Sequence, residues 1–186
     1  MAGDVTVAVV SGSLSQFANG TADFTKTGFG TPKACIVLVN GSSDGASTSA
    51  HSRMSVGFSD FTDDYCISHQ DEDSSAKVDC DAIKSNTKAY IILSASGSVD
   101  VEGNASTITN GVRLTNTATS PIGGGVGTTV IMFGGADRIV SLDSVAVNSS
   151  QDGTTVVTPG TALDADFVFF IGADISAEDS ASSGIN

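Results

Sequence analysis

Hydrophobic and polar positions fall along this chain in short runs, each closed by Gly, Pro, Asn, Asp or Ser. The clearest pair is residues 32–41 (PKACIVLVNG) and 52–60 (SRMSVGFSD), separated by the polar stretch GSSDGASTSA. A nearly continuous apolar run suits a strand covered on both faces, and alternation suits a strand covered on one. Residues 33–40 therefore predict the first kind, or a strand sitting in a sandwich core. Residues 52–59 predict the second, with Met54, Val56 and Phe58 on the covered face and Arg53, Ser55, Gly57 and Ser59 on the other. Residues 41–50 predict an exposed loop.

The same reading predicts strands at 4–10, 22–27, 65–69, 76–82, 88–94 and 98–102. Asn110-Gly111 marks a hairpin within 107–114. Further strands are expected at 129–133, 138–147, 154–158 and 167–171. Between them lie turns at Asn19-Gly20, Gly28 to Pro32, Gly134-Gly135 and Pro159-Gly160, a charged loop at 70–75 and a Gly/Thr/Pro loop at 115–128. Neither 76–88 nor 161–166 carries a 3.6-residue period. About ten short strands with turn signals between them predict an all-β fold, an antiparallel β-sandwich or a jelly-roll-like variant. The expected layout is one β-rich domain over 1–175 and an acidic, flexible tail over 176–186. Residues 163–172 (LDADFVFFIG) echo 32–41, Ala165 falling on Ala34 and Gly172 on Gly41. That echo suggests a pseudo-repeat, or a chain that stops just inside a second repeat.

Composition sharpens this picture. Only Glu72, Glu102 and Glu178 are glutamates among the 21 acidic residues, so the rest are Asp, which favours turns and caps over helix interiors. The net charge of −13, with no basic residue after Arg138, argues against binding a nucleic-acid backbone. It favours solubility, and a salty habitat would screen the self-repulsion. No run approaches the ~18 apolar residues of a membrane span. The start MAGDVTVAVV lacks a basic leader region, so synthesis in the cytoplasm without a cleaved signal peptide is expected.

Candidate chemistry is sparse. Asp60, Asp63, Asp64, Asp71, Glu72 and Asp73 are carboxylates of the kind that Ca²⁺ uses, yet they match no EF-hand loop and read as solvated loop charge. His51 and His69 form no HxxxH pair, and a zinc site from Cys66, His69 and Cys80 would be short of ligands. Cys35, Cys66 and Cys80 read as buried or half-buried thiols, with a Cys66–Cys80 disulfide left open by spacing alone. GGGVG at 123–127 and Gly134-Gly135 match no phosphate-loop spacing, and no GxSxG occurs. The expectation is a non-enzyme with no catalytic residue, metal or cofactor.

The segments TGFGTPKACIVLVNG and SRMSVGFSDFTDDYCIS resemble virion proteins of tailed, often marine, bacteriophages. In that family a GF.PKA turn and strand precede an apolar strand, a variable loop and a GF.DG strand turn. Here Phe61 stands where the pattern more often has Gly. ITNGVRLT, VIMFGGADRIVSLDSVAV and PGTALDADFVFFIG extend the likeness over most of 27–172. The resemblance implies a β-rich structural component of the virion, such as a capsid decoration (cement) protein. Its partners would be the major capsid protein or other virion proteins, and sister copies in a dimer or trimer. A tail or fibre module binding host-surface carbohydrate is the alternative. With no Trp in the chain, Tyr65, Tyr90 and exposed Phe would have to stack the sugar. A glycan depolymerase or esterase is the third reading, and no motif supports it.

Overall fold

The computed structural model describes residues 6–15, 18–41, 51–74, 77–94, 96–117, 126–136, 142, 168–169, 171 and 182–183. Every regular element among them is a β-strand. In chain order these are β1 (Thr6–Leu14), β2 (Thr21–Thr25), β3 (Ala34–Asn40), β4 (His51–Ser59), β5 (Asp64–Ser74), β6 (Lys77–Ser85), β7 (Tyr90–Leu93), β8 (Val99–Ile108), β9 (Gly111–Asn116), β10 (Val126–Gly134) and β11 (Ser182–Ser183). All pairs are antiparallel. They form a seven-stranded sheet in the order β1-β10-β3-β4-β5-β6-β11 and a four-stranded sheet in the order β2-β9-β8-β7.

The two sheets face one another as a β-sandwich. Two nested pairs, β1 with β10 and β2 with β9, give it the interleaving of a jelly roll. The middle of the chain departs from that scheme. β3 to β6 run as a meander in the large sheet, and β7 to β9 run as a second meander in the small one.

The main core lies between the sheets. Cys35, Val37 and Val39 of β3, with Val126, Val130 and Met132 of β10, meet Phe24, Val112, Leu114, Val101, Tyr90 and Ile92 from the small sheet. Burying a Val, Leu or Phe side chain stabilises by roughly 1.5–3 kcal/mol, so this layer carries most of the fold's cohesion. Strand β7 is buried along its whole length, because Ile91 and Leu93 pack on Cys66 and Ile83 while Tyr90 and Ile92 join the main core. The sheets approach closely at Gly57, where a Cβ would overlap the carbonyl oxygen of Ala89.

The structure reverses the expected faces of β4. Ser55, Gly57 and Ser59 point inward and are buried, whereas Met54 is 45% exposed on the outer face. Backbone approach decides this: at Gly57 only a residue without a Cβ fits beneath Ala89. The stretch 70–75, expected as a charged loop, is mostly strand, since β5 runs on through Asp71, Glu72 and Asp73 to Ser74 and pairs with β6 in unbroken register. Of the strand expected at 167–171, the described residues Val168, Phe169 and Ile171 are irregular and exposed. Within the expected flexible tail, Ser182 and Ser183 add to the edge of β6 opposite Ala82 and Asp81. The strands expected at 138–147 and 154–158 lie outside the described residues.

Candidate functional site

The acidic residues of the β4–β5 turn do not converge on a common point. Asp60 Oδ1 accepts hydrogen bonds from the backbone N–H of Thr62 (2.9 Å) and Asp63 (2.8 Å), which makes it the side chain that closes the turn. Asp63 faces solvent, and Asp64 turns inward between the sheets. Among the described residues no group of three or more His, Cys, Asp or Glu side chains is placed to hold a metal ion.

Asp64 instead belongs to a polar layer that ties the sheets together. Its Oδ2 accepts from Asn104 Nδ2 at 2.8 Å and from the Ala105 N–H at 3.3 Å, while Oδ1 is buried without a well-formed hydrogen bond. Burial pushes the Asp64 carboxyl above the usual carboxylate range, against the pull of the Ser59 hydroxyl, Asn104 and the Ala105 N–H. Asn104 Nδ2 also donates to the Thr87 carbonyl at 2.7 Å. At the far end of β4, Arg53 reaches Asp100 of the small sheet at 3.1 Å. Tyr90, fully buried, donates to Asn116 Oδ1 at 2.6 Å, and Asn116 Nδ2 donates to the Ser15 carbonyl at 2.7 Å. Gln70 Nε2 donates to Asp81 Oδ2 at 2.8 Å, both side chains being buried. Each of these bonds joins two structural elements and satisfies groups that the sandwich has dehydrated.

The remaining sequence candidates disperse. Register places Cys66 opposite Ser85 and Cys80 opposite Asp71, so the two thiols stand on opposite faces of the sheet and no disulfide joins them. Cys66 faces the core, whereas His69 is exposed on the outer face opposite Met54, which takes apart the proposed Cys66–His69 half-site. His51 opens β4 opposite Glu72. Gly127 and Gly134 are strand residues of β10, and Gly135 follows with φ 128°.

The feature that sequence reading missed is the outer face of the large sheet. Register lines up Val9, Ile131, Ile36, Phe58 and Tyr65 across five neighbouring strands. Leu38, Val56 and Ile67 form the adjoining row, and Val7 and Phe133 flank it. Val7 is 54% exposed, Val9 61% and Leu38 37%. The Phe169 ring lies over Phe58, with centroids 5.4 Å apart and planes tilted by 46°. By contrast, the outer side of the small sheet is polar: Arg113 of β9 grips Asp23 of β2 with two hydrogen bonds of 2.7 and 2.8 Å. The inverted parity of β4 creates this asymmetry, since it moves Met54, Val56 and Phe58 outward. Comparison with known protein families, with curated proteins and with solved structures finds no match for the chain.

Proposed function

We propose that this chain is a non-enzymatic structural component of a tailed-bacteriophage virion, a capsid decoration protein that docks through the outer face of its large sheet. The observation that carries the reading is the apolar row from Val9 to Tyr65 on one face of an otherwise acidic sandwich. On that face Val7, Val9, Leu38 and Met54 are exposed and Ile131, Ile36, Phe58 and Tyr65 half-buried, and apolar surface left open to solvent in this way favours a contact with another macromolecule. The residues that resemble virion proteins include β3 and β4, the two central strands of that same face. Major capsid protein is the partner this reading names, and the virion is the location. The polar layer around Asp64 fits it too, because the Asp64–Asn104 and Arg53–Asp100 contacts hold the two sheets together. The alternative, a fibre module that stacks sugar on aromatic rings, has lost Tyr90 to the core and keeps half-buried Tyr65 and exposed Phe169.

Quantitative mass spectrometry of purified particles tests the reading. One copy per capsid subunit, or one oligomer per local symmetry position, is the expected result. A handful of copies per particle would move the protein to the tail or fibre. Absence from washed particles would overturn the structural role.

A further inference from the structure

We infer that strand β1 is a self-association edge, on which a second copy of this chain adds its own β1 antiparallel to make one continuous sheet across a two-fold dimer. Among the described residues, β1 ends the large sheet and pairs only with β10. Its sequence, TVAVVSGSL, runs nine residues without a charge or a proline. Natural edges are normally blunted by charges, prolines, bulges or a covering segment, because the outward N–H and C=O groups of an edge strand are a template for another strand. The other edges are treated differently. β6 carries Lys84 and Asp81 and is covered in part by β11, β2 carries Asp23 beside Lys26, and β7 is buried. An open depression of about 410 Å³ lies between residues 6–8 of β1 and the turn at 26–29.

Charge selects the occupant. The chain carries a net −13, so two copies repel wherever their loops meet. Among the described residues, Thr6–Leu14 is the long edge where they can meet without bringing acids together. An antiparallel pair of identical strands is isologous, with its two-fold axis normal to the sheet. Such an axis keeps both outer faces on the same side. Val7 and Val9 of each copy then lie beside the other copy's edge, and the two apolar faces merge into one. The inference concerns the free protein and holds whether or not the virion reading does.

Light scattering across protein concentration, at low salt and at about 1 M salt, where the screening length falls to about 3 Å, provides the test. The mass should climb from 18.6 kDa toward twice that value, further in high salt than in low. Val9→Lys, at a site that is already largely exposed, should hold the protein at the single-chain mass with an unchanged β signature in circular dichroism. With Thr6–Leu14 fully paired, Ser11 of one copy lies opposite Val9 of the other, so a Val9→Cys/Ser11→Cys double variant should form a covalent dimer on mild oxidation, whereas Ser106→Cys, exposed on β8, should not. If Val9→Lys unfolds the chain, the two cysteine variants decide the matter. A wild-type chain that stays single at every concentration, a limiting mass of three chains, or a Val9→Lys variant that associates as the wild type does would each overturn the inference. Copy number in particles is read separately, so failure of one proposal leaves the other standing.

Discussion

Asp64 Oδ2 accepts a hydrogen bond from Asn104 Nδ2 at 2.8 Å, so a carboxyl on β5 of the large sheet is held by an amide on β8 of the small one. The bond costs dehydration of the carboxylate, and that burial raises the pKa of Asp64 in the folded protein. In the unfolded chain an Asp titrates near 3.9. Below that value the group is protonated in both states and its favourable contribution is complete. As pH rises, the unfolded chain releases its proton first, and stability falls until the folded carboxyl ionises as well. The slope between the two values is about 1.4 kcal/mol per pH unit. Urea unfolding at a series of pH values from 3.5 to 7 should therefore show wild type losing stability relative to Asp64→Asn as pH rises. Parallel curves would refute the assignment. Asp23 acts in the opposite sense, because Arg113 lowers its pKa and its support is lost as pH falls. That pair is exposed, so salt should weaken it while leaving the Asp64 effect in place.

Gly57 sits where the two sheets come close, and its missing side chain is a requirement of packing. Gly57→Ala would press a Cβ into the Ala89 carbonyl, which is backbone and cannot swing aside. Overpacking of a tight core costs ~1–3 kcal/mol and more where backbone must shift, so a loss of about 3 kcal/mol is expected in thermal or urea unfolding. Gly127→Ala is the control. Among the described residues nothing lies within 4 Å of its Cβ position, and the change should stay within about 0.5 kcal/mol of wild type. Equal effects at the two sites would mean that the close approach at Gly57 is not what holds the sheets in place.

The sequence announced its strands better than their faces. The apolar run at 33–40 became β3, and Asn110, at φ 62°, ends the two-residue turn between Ile108 and Gly111 that its Asn-Gly signal promised. β4 also lies where alternation put it. Alternation gives two faces without saying which one is covered, and a shift of one residue exchanges them. What fixed the parity was a contact with Ala89, 32 positions further along the chain from Gly57, and no local pattern encodes that. The charged stretch at 70–74 misled for a related reason. In β5 Asp and Glu occupy strand positions because β6 pairs with them across a tight connection, and pairing overrides their poor strand propensity. The apolar outer face follows from register across five strands, which single-strand reading cannot supply.

Thiol chemistry gives a direct check on which way the strands face. Cys35 and Cys66 are each 2% exposed, and burial pushes the Cys35 thiol far above its ordinary value, so neither should react as a thiolate in the native protein. Cys80 is half-buried on the outer face of β6, with its Sγ 3.7 Å from Asp71 Oδ1. An aromatic disulfide reagent should label one thiol in native buffer and all three in denaturant. Cys80→Ser should abolish the native signal. Rapid native labelling of two or three thiols would contradict the sandwich as described.

Phe61 has φ 70°, a left-handed backbone that glycine adopts freely and other residues adopt at a cost of roughly 1–2 kcal/mol. Its ring packs against the main core, and its N–H donates to Ser59 Oγ at 3.0 Å, so packing and the turn hold the strained residue in place. Two variants separate the backbone from the ring. Both Phe61→Ala and Phe61→Gly lose the ring contacts, at roughly 1–3 kcal/mol. Only Phe61→Ala keeps the left-handed penalty, so Phe61→Gly should be the more stable of the two by about 1 kcal/mol. At an ordinary extended position the order is reversed, because glycine weakens a strand relative to alanine. Urea unfolding of the pair reads the sign directly, and an alanine variant more stable than the glycine variant would show that the turn relaxes out of the left-handed region once the ring is gone.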